Sequence, residues 1–473
     1  MLNYFPKYFT NKAILLYFIA LLAVTFVFFS RSMNVLWVVF GIVEVAGFFY
    51  FSNLLTRKWS DLSEKTFRKR LMYTSAVIRI VWVVFSYFFY MAMTGQPFEF
   101  DAADSMFYDS LGKFGSNLIS NGNFNFYTEF DRYSGGLNIS DTGYPIYLSF
   151  IYFFTGNSMF VVFVIKAIIS AWTCVFVYKL AVRNFGEHTG RMAAILCMLM
   201  PNLIIYCSLH LKEVEMVFLS VVFIEKTDYL IRSKNLTFRR IAVPLLVAIV
   251  LFSFRTVLGA TALFALLTAL LFSTQRILGF GQRLIIGLWV VVAIIYFMGG
   301  RISTEIEHVW ADRATNQKST LEWRAQRQGG NMLADRAGAA IFAPAIFIIP
   351  IPTMVNIPGQ ENQQLIHGGN FVKDILAFFL VFFFISVIRN NKWRDFSLIE
   401  AFFVGYLVIL AFSAFAQSER YHQPVLPFYM MFAAYGISQA TNKTKFYFNW
   451  YMVGLFLVIL AWNWFKLAGR GLA

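Results

Sequence analysis

Charge is scarce in this chain of 473 residues: 14% of positions are Asp, Glu, Lys or Arg, against about a quarter in an ordinary soluble domain. A soluble fold of this length would need a far more charged surface. That shortage excludes a soluble enzyme, a secreted domain and a nucleic-acid binder. Cysteine is rarer still. Cys174, Cys197 and Cys207 all fall in apolar runs, without disulfide or metal-ligand spacing, and read as small core residues. The histidines His188, His210, His308, His367 and His422 are scattered and show no His-x-x-x-His pattern, which argues against a zinc site.

What the chain has in excess is apolar surface: 59% hydrophobic residues and 19% aromatic. These residues come in blocks of roughly 18 or more, the length that crosses a bilayer at about 1.5 Å rise per residue. The blocks predict an all-α polytopic membrane protein with about thirteen spans. They lie near 13–30, 35–55, 72–93, 160–183, 191–208, 214–231, 241–254, 258–274, 284–299, 372–389, 397–416, 425–440 and 446–465. The first block has no small-residue cleavage site and is followed at once by a second, so it reads as a span and not a signal peptide. The segment 337–355 is apolar but holds Pro344, Pro350 and Pro352, a density that argues for a re-entrant or interfacial segment.

The net charge of +15 is what basic cytoplasmic loops would produce. Placing the N-terminus inside puts Arg57 to Arg70, Lys179 to Arg191, Arg232 to Arg240, Arg276 and Arg283, Arg389 to Arg394, and Lys443 and Lys445 on the cytoplasmic side. Two long segments, 94–160 and 300–370, are then extracytoplasmic. The chain divides into two leading helices with a basic loop (1–71), a core (72–440) and a last spanning helix (441–473). In the second long segment Arg301, Arg313, Arg324, Arg327 and Arg336 break the charge rule, as a gate over a lipid headgroup or an anchor on anionic lipid would.

The first long segment carries acidic chemistry. Asp101, Asp104, Ser105, Tyr108 and Asp109 follow the third span at the membrane surface, where partial desolvation would make a carboxylate a better base. Either aspartate could instead cap a loop helix. Gly143-Tyr144-Pro145 then opens an apolar helix too short to span, expected to lie along the interface.

The order of these features resembles the GT-C superfamily of integral membrane glycosyltransferases, which includes protein O-mannosyltransferases and the aminoarabinose transferase of lipid A. The resemblance rests on Asp104-Ser-x-x-Tyr108 after a span, the Gly-Tyr-Pro helix ending at Gly156, and Tyr178-Lys-Leu-Ala-Val-Arg-Asn-Phe-Gly186. His210-Leu-Lys212-Glu213, Phe254-Arg255-Thr256 and Arg420-Tyr421-His422-Gln-Pro424-Val-Leu-Pro427 complete it. It covers roughly 72–440. The chain departs from the family in its two leading helices, in Asp101 and Asp104 standing where an adjacent acidic pair is usual, and in the lack of a compact C-terminal soluble domain.

The resemblance implies a polyprenyl-phosphate sugar donor, attacked with inversion by a hydroxyl of an extracytoplasmic glycan, lipid or protein. Asp104 is then the base, with Asp101 in reserve. Arg255, Arg420 and Lys212 hold the leaving phosphate, and Glu213, Tyr108, Tyr421 and His422 support them. Asp104 and Glu213 could also hold a divalent cation. Competing with these roles are a snorkelling Arg255 and local pairs of Arg420 with Glu419 and of Lys212 with Glu213. Arg79 and Lys166, inside spans, could mark function or snorkel. The localisation implied is the bacterial inner membrane, with the site facing the periplasm. Rival readings are a secondary transporter or lipid flippase, disfavoured by the absence of an internal repeat, and an O-antigen polymerase or ligase.

Overall fold

The computed structural model describes residues 2–135, 141–233, 237–273, 342–413, 415–470 and 472, with shorter stretches between 279 and 325. Among these, all regular structure is helical apart from an isolated bridge between Ser32 and Val355. The helices are α1 (Lys7–Val27), α2 (Val35–Lys58), α3 (Glu64–Thr94), α4 (Ala103–Ser120), α5 (Phe126–Ser134), α6 (Gly143–Thr155) and α7 (Met159–Phe185). Then come α8 (Glu187–Leu199), α9 (Pro201–Ile205), α10 (Glu213–Ile231), α11 (Phe238–Phe254), α12 (Thr256–Phe272) and α13 (Arg313–Ala325). The last are α14 (Glu361–Leu365), α15 (His367–Arg389), α16 (Ser397–Phe412), α17 (Glu419–His422), α18 (Leu426–Ser438) and α19 (Asn442–Ala468).

Six described helices, α1, α2, α3, α7, α15 and α19, are long and apolar enough to cross a membrane, and α8 with the turn after it makes a seventh, bent span. Their ends are set locally. Asn34 and Ser63 accept from the backbone N–H of Leu36 and Thr66, and Thr441 with Thr444 forms a capping box on α19. Gly95, at φ 75°, closes α3 in the left-handed conformation that glycine takes without strain.

Several expected spans differ in the structure. The segment 191–208 is bent by 55° at Pro201, because proline has no N–H to give the carbonyl of Cys197. The fully buried Arg79 of α3 fills that gap, donating to the carbonyls of Met198 (3.1 Å) and Cys197 (3.4 Å) and to the hydroxyls of Ser75 (2.6 Å) and Ser170 (2.7 Å). Arg79 is thus bound inside the bundle and does not snorkel. The helices α12 and α16 are apolar but only 17 and 16 residues long, because Arg255 and Ser413 take extended backbone at their ends.

Residues 342–357 form no regular helix beyond a short turn at Ala343–Ala345. They lie against the bundle, where Tyr429 donates to the carbonyl of Phe347 (3.1 Å) and Asn463 accepts from Met354 N–H (2.7 Å). Residues 337–341, most of the expected span at 284–299, Arg301, His308, Arg327 and Arg336 lie outside the described residues, as do the side chains of Arg313 and Arg324.

The core is aromatic. Phe383 of α15 stacks on Phe432 of α18 at 4.4 Å between centroids. On the same face of α18, Gly436 meets the backbone of α15 so closely that a Cβ there would lie 2.1 Å from the carbonyl oxygen of Phe379. Small residues permit such helix contacts where lipid supplies no hydrophobic drive.

Candidate functional site

Four ends of helices meet at one place. The loop after α3 leads into α4, the turn 206–212 leads into α10, α11 breaks into α12 at Arg255, and α17 follows the end of α16. Each contributes a charged side chain.

Arg420 of α17 is the hub. Its Nη1 donates to Asp104 Oδ2 in the first turn of α4, and its Nε donates to Glu213 Oε1 in the first turn of α10. Asp104 is largely exposed, whereas Glu213 is buried. Acidic residues suit helix N-termini, where unpaired N–H groups and the helix dipole favour negative charge. A charge as buried as Glu213 needs a partner of this kind. The local alternatives from sequence do not form: Arg420 pairs with Asp104 and Glu213 and not Glu419, and Lys212 pairs with Asp141 and not Glu213.

Arg255 stands between α11 and α12 in extended conformation, φ −163° and ψ 112°. Its guanidinium lies 4.3 Å over the ring of Tyr421, which also stacks on Phe415. Its Nη1 is buried with no hydrogen-bond partner among the described residues. Arg255 is therefore held inside the protein and does not snorkel. Lys212 lies 5.8 Å over the ring of Tyr108. Burial pulls its ammonium below the ordinary lysine value, and Asp141 opposes that shift.

A cavity of about 320 Å³ opens beside Arg420, walled in part by Glu99, Asp101, Asp104, Tyr206 and Glu419; Arg255 and Lys212 stand behind this wall and do not line it. Asp101 enters it from a left-handed backbone, φ 51°. No side chain caps α4, so neither aspartate plays the capping role weighed from the sequence. His422 turns away: its Nε2 meets the carbonyl of Ala416 (2.8 Å) and its Nδ1 meets Lys373 (3.3 Å). Arg420 stands between Asp104 and Glu213. Among the described residues, no group of three or more His, Cys, Asp or Glu is placed to hold a metal.

Two participants, Glu99 and Tyr152, are not singled out by the sequence, and two that are, His210 and Lys166, take contacts it does not display. Glu99 is buried in the cavity wall, and the Ser105 hydroxyl donates to it at 2.5 Å. The hydroxyl of Tyr152 in α6 donates to Asp109 (2.5 Å), so it accepts from Nε2–H of His210 (3.2 Å). Burial, then Lys166 and Lys113, push His210 far below its ordinary value, so the ring is neutral. Lys166, fully buried, donates to the carbonyls of Leu209 (2.7 Å) and Leu211 and lies 3.7 Å from Glu215. Lys166 thereby pins the turn that delivers Lys212 and Glu213.

Fold and site together define a helical membrane protein with a charged cavity at the ends of its helices. Comparison with protein-family models, with curated proteins and with solved structures gives no match to the chain.

Proposed function

We propose that the protein is a GT-C-type membrane glycosyltransferase. It moves a sugar from a polyprenyl-phosphate donor to an extracytoplasmic glycan, lipid or protein acceptor. In this reading about thirteen spans cross the bacterial inner membrane, basic loops lie inside, and the cavity faces the periplasm.

The observation that carries the reading is the meeting of several carboxylates with the Arg420 guanidinium at one cavity, with Arg255 packed on the neighbouring Tyr421. Asp104 and Arg420 stand 316 positions apart in sequence and are in contact. Inverting transfer needs only a base for the acceptor hydroxyl and cations for the departing phosphate. Arg255, whose Nη1 has no hydrogen-bond partner among the described residues, and Arg420 suit a phosphate through several N–H donors. Lys212 adds a third cation. Motif order nominates Asp104 as the base, with Asp101 beside it in the cavity wall.

The test is transfer by the purified protein in proteoliposomes given radiolabelled polyprenyl-phosphate sugars, hexoses and aminoarabinose among them, with cell-envelope acceptors. Label should move to an acceptor, and Arg255→Ala should raise the donor KM. An inert wild-type protein with every donor would overturn the reading.

A further inference from the structure

Asp104 Oδ2 is committed to Arg420, and the side chain is 63% exposed. Glu99 has the opposite setting. It is 8% exposed, lines the cavity, and has one oxygen fixed by Ser105. Its other oxygen, Oε2, has no hydrogen-bond partner among the described residues. A buried carboxylate oxygen left unpaired is costly unless a proton or a ligand completes it.

We propose that Glu99 is the catalytic base of the transfer reaction and that Asp104 is a positioning residue that orients Arg420, an inference that rests on the transferase reading. Oε2 takes the proton of the acceptor hydroxyl as the acceptor oxygen bonds to C1 of the sugar. The C1–O bond to phosphate breaks, and its electron pair leaves on the polyprenyl phosphate, where Arg420 and Arg255 meet the charge. No oxidant or further reactant enters, and the proton departs from Glu99 after product release.

The surroundings agree. Burial raises the Glu99 carboxyl above the usual range, while Ser105, Arg420 and Lys166 oppose that rise. The phenols of Tyr90 and Tyr206 also face it, and Asp101, Asp104 and Glu419 share the cavity. A base is most effective when it titrates near the working pH.

The experiment measures kcat and donor KM against pH in proteoliposomes with a labelled polyprenyl-phosphate sugar, for wild type, Glu99→Gln, Asp104→Asn and Ser105→Ala. Glu99→Gln should lower kcat about 100-fold or more, abolish the acid limb of the profile, and leave the donor KM unchanged. Asp104→Asn should keep the limb and raise the donor KM. Ser105→Ala removes a hydrogen bond that favours the ionised form, so its limb should move to higher pH, a readout that does not require Glu99→Gln to fold. Glu99→Gln turning over within a few-fold of wild type with the limb intact, or an unmoved limb in Ser105→Ala, would overturn the role of Glu99 alone. An inert wild type would overturn the transferase reading and this inference with it.

Discussion

Arg420 joins Asp104 to Glu213, two carboxylates at the N-termini of different helices, through a single guanidinium. One is exposed and one is buried, so the two halves of the bridge have different worth. The exposed half contributes little to stability, and the buried half is structural.

Removing Arg420 leaves Glu213 buried without its counter-charge. Arg420→Ala should cost about 3–5 kcal/mol, read as a lowered melting temperature in detergent. Adding Glu213→Gln should recover part of it, so the double variant would be more stable than the additive sum. Additive losses would show that the pair does not act as a unit.

Arg79 donates to the Cys197 carbonyl that Pro201 orphans and to the Met198 carbonyl beside it. Arg79→Met should leave both unpaired in a buried site, at about 1–3 kcal/mol for each group. Differential scanning fluorimetry would measure this, and an unchanged melting temperature would contradict the role given to Arg79.

Gly436 has no room for a methyl group against Phe379. Gly436→Ala should force α18 away from α15 and destabilise by about 1–3 kcal/mol. Phe383→Leu, on the same seam, should lower thermal stability as well.

Arg255 and Asp104 should act on donor affinity. Arg255→Ala and Asp104→Asn are both expected to raise the donor KM with smaller effects on kcat, while Asp101→Asn, whose carboxylate is not one of the two that pair with Arg420, should alter KM less. A fall in kcat confined to Asp104→Asn, with loss of the acid limb, would return the base to Asp104.

The six long helices were legible because apolar blocks report span length; the bend at Pro201 and the shorter helices such as α12 and α16 were not. Arg255 was legible for the converse reason: a charge in an otherwise apolar run has to be housed. What sequence does not display is pairing across the chain. Nothing near Arg420 names Asp104 as its partner, so the neighbouring Glu419 was the natural candidate. Glu99 sits in a Phe-Glu-Phe run with no motif, and only tertiary burial distinguishes it from a solvated loop residue. Lys166 and Arg79, near span ends, left function and snorkelling both open, because the carbonyls, hydroxyls and carboxylate that hold them lie mostly on other helices. Pro201 was visible, but its consequence depended on an arginine of α3, far away in sequence.

The most direct test is a structure of the wild-type protein in nanodiscs with polyprenyl phosphate. The account predicts the phosphate within hydrogen-bond distance of both Arg255 and Arg420, with the phosphate oxygen that carries the sugar in the donor turned toward Glu99. A phosphate bound away from both arginines would contradict it.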